Sequence, residues 1–600
     1  MTLQIARRDL AFLLYEFLDV EALAKRPRFA GQGREVYDAV LDTARGVADE
    51  FYAPFRKMND QQEPEIVAGR VVTTPSLKAA WDAVAASGII ASTQDESRGG
   101  LQLPHVIASA SIAFLEAANI GSASYPMLTA GAANLIAAFG SEEHRARWLP
   151  PLLTGRWSGT MALTEPDAGS ALADLRTKAT PLPDGSYAIE GTKIWISGGD
   201  HELTENIVHL VLARIAGAAE GTKGISLFIV PKKKVASDGS VGGTNDVTLA
   251  GLIHKMGWRG TTSTLLNFGE NGQCVGYLVG EAHHGLVYMF HMMNEARIGV
   301  GRAATAMGYA AFRYAVDYAR TRRQGRVPGE KDPRKPPVAI IDHADVRRML
   351  LTAKCAAEGS LALILECARL VDEQATAPDR ADQERASLLL EVLTPIAKTW
   401  PSVYCQEGIS AALQVLGGYG YAREYDVEQL YRDNRLNQLH EGTNGIQALD
   451  LLGRKVTQAK GAAFKALAAR IAESAMDAAE ADAALVPLAA ELGKGVERLG
   501  AVTKHLVGVM ATEPARGLAN ATPYLELTSR VVYAWLWLRQ ATVASRALQS
   551  GAGGDDAEFY RGKLQAARYY FGFELSRTAA DVELLLRNDP SAFEMQDEWF

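Results

Sequence analysis

Between Trp157 and about Val279 the apolar residues of the chain alternate, whereas on either side they recur at helical spacing, and this change of period limits the fold more than any other feature. Segments such as Tyr187-Ala-Ile-Glu, Ile194-Trp-Ile, Ile207–Leu212 and Ile225–Val230 are bounded by Gly, Asp and Asn, which are strand and turn signals. No regular alternation of strand and helix runs through them, so the middle piece is expected to be a β barrel or sandwich. Before it, Leu10, Leu13, Leu14, Phe17 and Leu18 follow a helical stripe, as do Val36, Val40, Leu41, Ala44 and Val47. Val106–Ala118 and Ala130–Phe139 read as two further helices, and Ser141-Glu-Glu as the capped start of a third. After it, a stripe from Leu286 to Val316, patterns over His343–Val371 and Ala381–Leu416, and an Ala-rich block from Lys460 onward are all helical.

Single cores stop growing near roughly 250–300 residues, so a chain of 600 residues is expected to divide. The expected architecture is multidomain α+β. It comprises an N-terminal helical domain (1–157), a middle β domain (158–281), a helical bundle (282–457) and an additional helical domain (458–600). A net charge of −8 argues against a nucleic-acid-binding surface. Four dispersed cysteines (Cys274, Cys355, Cys367, Cys405) make neither a disulfide framework nor a zinc site and suit a reducing compartment. No apolar run approaches the roughly 18–20 residues of a membrane span, the nearest being Val531–Leu538. With no signal-like N-terminal segment, the expectation is a cytoplasmic protein without an integral membrane segment.

Gly299-x-Gly301-x-x-Ala304 matches a dinucleotide fingerprint but lies inside a helical stripe, where small residues serve close packing. No Walker A, HExxH or GxSxG pattern occurs, so no metal, nucleotide-triphosphate or serine-hydrolase chemistry is expected. Two segments carry more. In Met161-Ala-Leu-Thr-Glu-Pro-Asp-Ala-Gly-Ser170, Pro166 sets a turn, Gly169 permits positive φ and Ser170 offers a hydroxyl. In Gln438-Leu-His-Glu441-Gly-Thr-Asn444, Glu441 precedes a helix that Thr443 or Asn444 could cap. It reads either as an acid complementing that helix or as a general base, with Gly442 allowing close approach of a ligand.

From about residue 80 to 455 the chain resembles the acyl-CoA dehydrogenases. The resemblance rests on Thr164-Glu-Pro-x-Ala-Gly-Ser170, Lys193-x-Trp195-Ile196, Tyr318-Ala-x-x-Arg322, Gln414-x-x-Gly417-Gly418 and Glu441-Gly-Thr443. Ile196–Asn206, the proline-rich loop before His343 and the C-terminal bundle are similar to the family's long branch, which includes enzymes named for 3-(methylthio)propanoyl-CoA and others for straight-chain acyl-CoA. The resemblance implies FAD-dependent α,β-dehydrogenation of an acyl-CoA, as in fatty acid β-oxidation, with electrons passed to an electron-transfer flavoprotein. It makes Glu441 the base, in preference to Glu295 beside the family's alternative position at Ala296. It brings Met161, Ala162, Leu163, Thr164, Gly169, Ser170, Trp195, Ile196, Ser197, Gly442, Thr443 and Asn444 to the flavin. Arg322, Gln414, Val415, Leu416, Gly417 and Gly418 would reach the flavin of a neighbouring subunit. Ser170, Asn294, Arg297, Glu441 and Gly442 are the implied acyl-CoA contacts, with a buried Arg297–carboxylate pair as the alternative for Arg297. By analogy with longer members, the C-terminal bundle covers surface that shorter ones bury in a second dimer contact, which implies a homodimer. Two competing readings remain: a flavin oxidase or monooxygenase on the same fold, and a non-catalytic DNA-associated relative.

Overall fold

The computed structural model describes residues 3–600, apart from the side chains of residues 290–294. The chain forms two compact units, one of residues 32–296 and one of residues up to Gly31 together with 297–600. The first thirty or so residues, expected within an N-terminal helical domain, thus pack in the unit that holds the C-terminal helices.

In the 32–296 unit, helices α1 (Arg34–Val47), α2 (Pro75–Ser87), α3 (His105–Phe139) and α4 (Glu142–Leu153) precede the sheet. The two helices expected between Val106 and Phe139 run together as α3, with a non-helical Asn119 marking the break between them. Small residues hid the continuity: α3 is long and apolar enough to cross a membrane, contrary to expectation, yet 94% of its most apolar stretch is buried within the protein. Ser141 caps α4 as expected, its hydroxyl accepting from the His144 N–H at 3.1 Å.

The strands of the main sheet are β1 (Trp157–Ala162), β2 (Lys178–Pro181), β3 (Tyr187–Ser197), β4 (Asn206–Ile215), β5 (Ile225–Pro231), β6 (Val247–Leu252), β7 (Ser263–Phe268) and β8 (Val275–Leu278). Their pairings β3–β8–β5–β4–β2–β3 return on themselves, so the middle piece is a small barrel. β1 extends it in parallel beside β4, while β7 and then β6 extend it beside β3. The uninterrupted apolar runs of β4 and β5 have a direct cause. Val208, Leu210, Leu212, Leu227 and Ile229 pack towards α3 and α4, while Val211, Ala213, Phe228 and Val230 fill the opposite face. A strand buried on both faces has no polar side to alternate with.

The other unit is helical. The long helix α5 (Gly285–Thr321) continues into it, followed by α6 (Ala344–Thr376), α7 (Arg380–Leu416), α8 (Val427–Arg435) and α9 (Asn444–Asp450). Helices α10 (Gln458–Ala481), α11 (Val486–Met510), α12 (Ala521–Gln549) and α13 (Gly554–Tyr569) follow, with shorter helices between and after them. Gly301 lies mid-helix, and a Cβ there would drive into the carbonyl of Ala397, so the fingerprint-like glycine serves close packing of α5 on α7. In α12, Tyr533, Trp535 and Trp537 are fully buried. Tyr533 shares a 2.7 Å hydrogen bond with Ser360 of α6, and Trp535 donates to Ser474 of α10 at 2.9 Å. These aromatics are core. The four cysteines are free and buried.

Candidate active site

In the barrel unit, the two motifs thirty residues apart become one surface. Glu165-Pro-Asp-Ala168 closes a tight turn through paired backbone bonds of 3.0 and 3.1 Å, as Pro166 at its second position favours. Lys193 comes up beneath it. Its ammonium, with no exposure, donates to the Leu163 carbonyl and to Glu165 Oε1, both at 2.9 Å, and the Ile194 N–H donates to the Thr164 carbonyl. Glu165 also accepts from the Arg176 and Thr177 N–H groups and from the Thr177 hydroxyl. Burial pushes its pKa up, but the Lys193 charge and these donors outweigh burial and hold it below the usual carboxylate range. Burial brings Lys193 down to about 8.

A carboxyl whose pKa is lowered by folding stabilises above its unfolded pKa, about 4.3, and that contribution is lost as pH falls through the folded value. Between pH 5 and 3 the melting temperature of the wild type is therefore expected to fall more steeply than that of Glu165→Gln. Parallel melting curves for the two proteins would refute the assignment.

Trp195 sits where β3 opposes two residues to one on β7, between the Lys193–Leu266 and Ile196–Thr264 pairs. At this bulge Trp195 adopts φ +63, an unfavourable left-handed conformation for an aromatic residue, and 57% of the residue is exposed. Gly169, expected to supply positive φ, does not adopt it; open space surrounds it instead. The hydroxyls of Thr164, Ser170 and Ser197 find no hydrogen-bond partner among the described residues. An exposed indole, with three hydroxyls on the same two motifs that meet no partner among the described residues, suits a flat heteroaromatic ring carrying polar edges. Ala162 and Ile196, by contrast, are core residues, so only their backbone is available to a ligand. Glu295 accepts from Asn134 at 3.2 Å, and Asn134 accepts in turn from Gln94.

In the helical unit, Glu441 lies between a short 3-10 turn (Leu436–Gln438) and α9, with φ +53. Gly442 follows at φ +82, and a Cβ there would sit 2.6 Å from the buried amide of Gln447, which donates to the Glu441 carbonyl. Thr443 caps α9, its hydroxyl accepting from the Ile446 N–H. The Glu441 N–H meets no acceptor among the described residues. Burial raises the Glu441 pKa above the usual carboxylate range, and the opposing pull of Lys398 and Arg297 does not cancel it. Lys398 of α7 was not singled out from the sequence. It is wholly buried, burial lowers it to about 7, and the one hydrogen bond it makes among the described residues reaches Asn444 Oδ1 at 3.5 Å. His440 is held neutral, lowered to about 3 by burial and by the Lys398 charge.

Arg297, expected against acyl-CoA, is instead buried and tied to Asp450 at 2.9 Å, the alternative left open by the sequence. The Asn294 side chain lies outside the described residues. Arg322 is exposed and sits 5.7 Å over the Tyr419 ring, which brings it beside Gly417 and Gly418. Gln414 and those glycines are exposed, whereas Val415 and Leu416 are core.

Four family models match the chain. The acyl-CoA dehydrogenase N-terminal domain matches residues 34–156, the middle domain 160–270 and the C-terminal domain 283–457. A further model, described as acetyl-CoA dehydrogenase C-terminal like, matches 463–596. The chain belongs to the acyl-CoA dehydrogenase family, FAD-dependent oxidoreductases of acyl-CoA. It is 37% identical to a 3-methylmercaptopropionyl-CoA dehydrogenase of Ruegeria pomeroyi, over 94% of this chain and 95% of that one. It is 35% identical to a butyryl-CoA dehydrogenase of Syntrophomonas wolfei, over 99% of this chain and 98% of that one. Its fold matches a Bacillus anthracis acyl-CoA dehydrogenase solved with FAD, with a TM-score of 0.74 at 19% identity over 98% of this chain and 93% of that one.

Proposed function

We propose that the enzyme removes the α proton of a short or medium straight-chain acyl-CoA, or of 3-(methylthio)propanoyl-CoA, with Glu441 as the base. The observation that carries this reading is the left-handed Glu441 loop, which pairs a carboxyl of raised pKa with a free backbone N–H. An α proton beside a thioester is weakly acidic, so the base needs a pKa near the working pH and the carbonyl must be polarised as the proton leaves. Burial moves Glu441 towards the first requirement by raising its pKa. The Glu441 N–H is available for the second. FAD held there would supply the acceptor for the hydride that leaves the β carbon. Trp195 would lie against the flavin, and Thr164, Ser170 and Ser197 would bond its polar edges.

The substrate range follows the names of the two similar enzymes, methylmercaptopropionyl-CoA and butyryl-CoA dehydrogenases. Electrons then pass to an electron-transfer flavoprotein, in the cytoplasm, where the four buried cysteines stay reduced. Arg322 with Gln414–Gly418 presents exposed polar and backbone groups suited to the cofactor of a second copy, so the enzyme works as a homodimer. Light scattering on the purified protein should return twice the chain mass; a tetramer or monomer would refute this.

Anaerobic titration with a panel of acyl-CoA thioesters tests the function directly. Butanoyl-CoA and 3-(methylthio)propanoyl-CoA are expected to bleach the flavin band fastest, and failure of every straight-chain thioester would overturn the reading. Trp195→Ala is expected to fold and to bind FAD about tenfold more weakly, read as flavin lost on gel filtration. Full flavin retention would remove Trp195 from the site.

A further inference from the structure

We infer that Lys398 is a positioning residue for Glu441: from inside α7 it supplies the positive charge that favours the carboxylate and tethers Asn444 at the start of α9. The inference rests on Glu441 being the base. Lys398 lies in the apolar stretch Pro395-Ile-Ala-Lys-Thr-Trp-Pro401, with no exposure. An ammonium has three donors, and here a single 3.5 Å bond to Asn444 is all the described residues offer it. The other lysines buried to this degree are treated differently. Lys193 meets Glu165 at 2.9 Å, and Lys563 meets Asp9 at 2.5 Å and Glu358 at 2.8 Å. A buried ammonium without a carboxylate is costly, and methionine would fill the space without that penalty, so packing does not account for a lysine here.

The surrounding charges leave Lys398 facing the base. Arg297 of α5 is committed to Asp450, and Lys455, after α9, is committed to Glu391. His440 is neutral. Of the three cations, Lys398 alone lacks a carboxylate partner among the described residues. Its electrostatic counterpart is Glu441, and each acts on the other's ionisation. Asn444 adds a mechanical link, because it stands three residues after Glu441 at the first position of α9.

The test is the pH dependence of flavin reduction in the FAD-loaded enzyme, with Lys398→Met, Lys398→Gln and Lys398→Arg. The base acts when deprotonated, so the rate rises with pH through the Glu441 pKa. Removing the lysine charge raises that pKa further. In Met and Gln variants the acid limb is expected to move up by about one pH unit, an approximately tenfold loss below the limb that is recovered above it. The Arg variant should keep the wild-type limb. A uniform loss of rate at every pH, or an unmoved limb, would overturn the proposal and leave Lys398 a structural residue. The glutamine variant carries the test if the methionine variant does not fold. Infrared titration of the protonated carboxyl band that Glu441→Gln abolishes reads the same shift without turnover. If Glu441→Gln still reduces flavin at the wild-type rate, the base assignment fails. The infrared shift then still decides whether Lys398 sets the ionisation of Glu441.

Discussion

Glu441→Gln is expected to bind FAD and acyl-CoA normally and to reduce its flavin about 10²–10⁴-fold more slowly than the wild type, the usual contribution of a positioned general base. The substitution keeps the size of the side chain, so the left-handed loop, the Thr443 cap and the Gln447 bond to the Glu441 carbonyl should persist. What disappears is the acceptor for the α proton. The wild-type rate should rise with pH along a limb above the ordinary carboxylate range, because burial raises the Glu441 pKa against the attraction of Lys398 and Arg297. Rapid-mixing measurement of flavin bleaching separates this from weaker binding, since the half-saturating thioester concentration should barely change. A variant that bleaches at the wild-type rate would remove Glu441 from the chemistry.

The second large effect lies far from chemistry in role. Lys563 of α13 is wholly buried and meets Asp9 at 2.5 Å, Glu358 of α6 at 2.8 Å and Gln540 of α12 at 2.9 Å. Asp9 also accepts from the Tyr309 hydroxyl, and Glu358 pairs with Lys354. One ammonium thus joins the first residues of the chain to α6, α12 and α13. Burial pushes the Lys563 pKa down, but the two carboxylates outweigh it and raise it above the ordinary lysine value. A raised lysine pKa stabilises fully below its unfolded value, about 10.4, so the contribution is intact at neutral pH.

Lys563→Met should lower the stability of the helical unit by about 3–5 kcal/mol, because it strands the buried Asp9 carboxylate and leaves Glu358 with Lys354 alone. The midpoint in urea should fall accordingly, with hydrogen exchange appearing first in α12 and α13. A triple variant that also carries Asp9→Asn and Glu358→Gln should recover most of the loss, since the stranded charge is gone. A single variant within about 1 kcal/mol of wild type would show that the cluster is solvated and worth little.

How much of this could be read from sequence depends on how far each determinant reaches along the chain. The change of apolar period located the barrel, but the burial of β4 and β5 on both faces emerged only from the packing. The Ser141 and Thr443 caps were legible because a cap bonds a backbone N–H a few residues away. Glu441 stood out by its glycine-flanked place before a helix, and the resemblance to the family made it the proposed base. The continuity of α3 was not, because its small residues weaken the apolar signal while leaving the helix intact.

What tertiary structure alone decided is where unlike segments meet. The left-handed conformation fell to Trp195 rather than Gly169 because a bulge opposite β7 demands it, and no local rule places that bulge. Arg297 turned to Asp450, 153 residues away, since a buried guanidinium takes whichever carboxylate the packing delivers. Lys398 carried one available signal, a lone lysine inside an apolar helix, but its weight comes from the lack of a carboxylate partner among the described residues, which only the folded chain reveals. Local patterns along the sequence determined the elements and their order, and the resemblance to the family supplied the proposed base. Long-range packing decided which charges are paired, which are left waiting, and therefore which of them bear on that base.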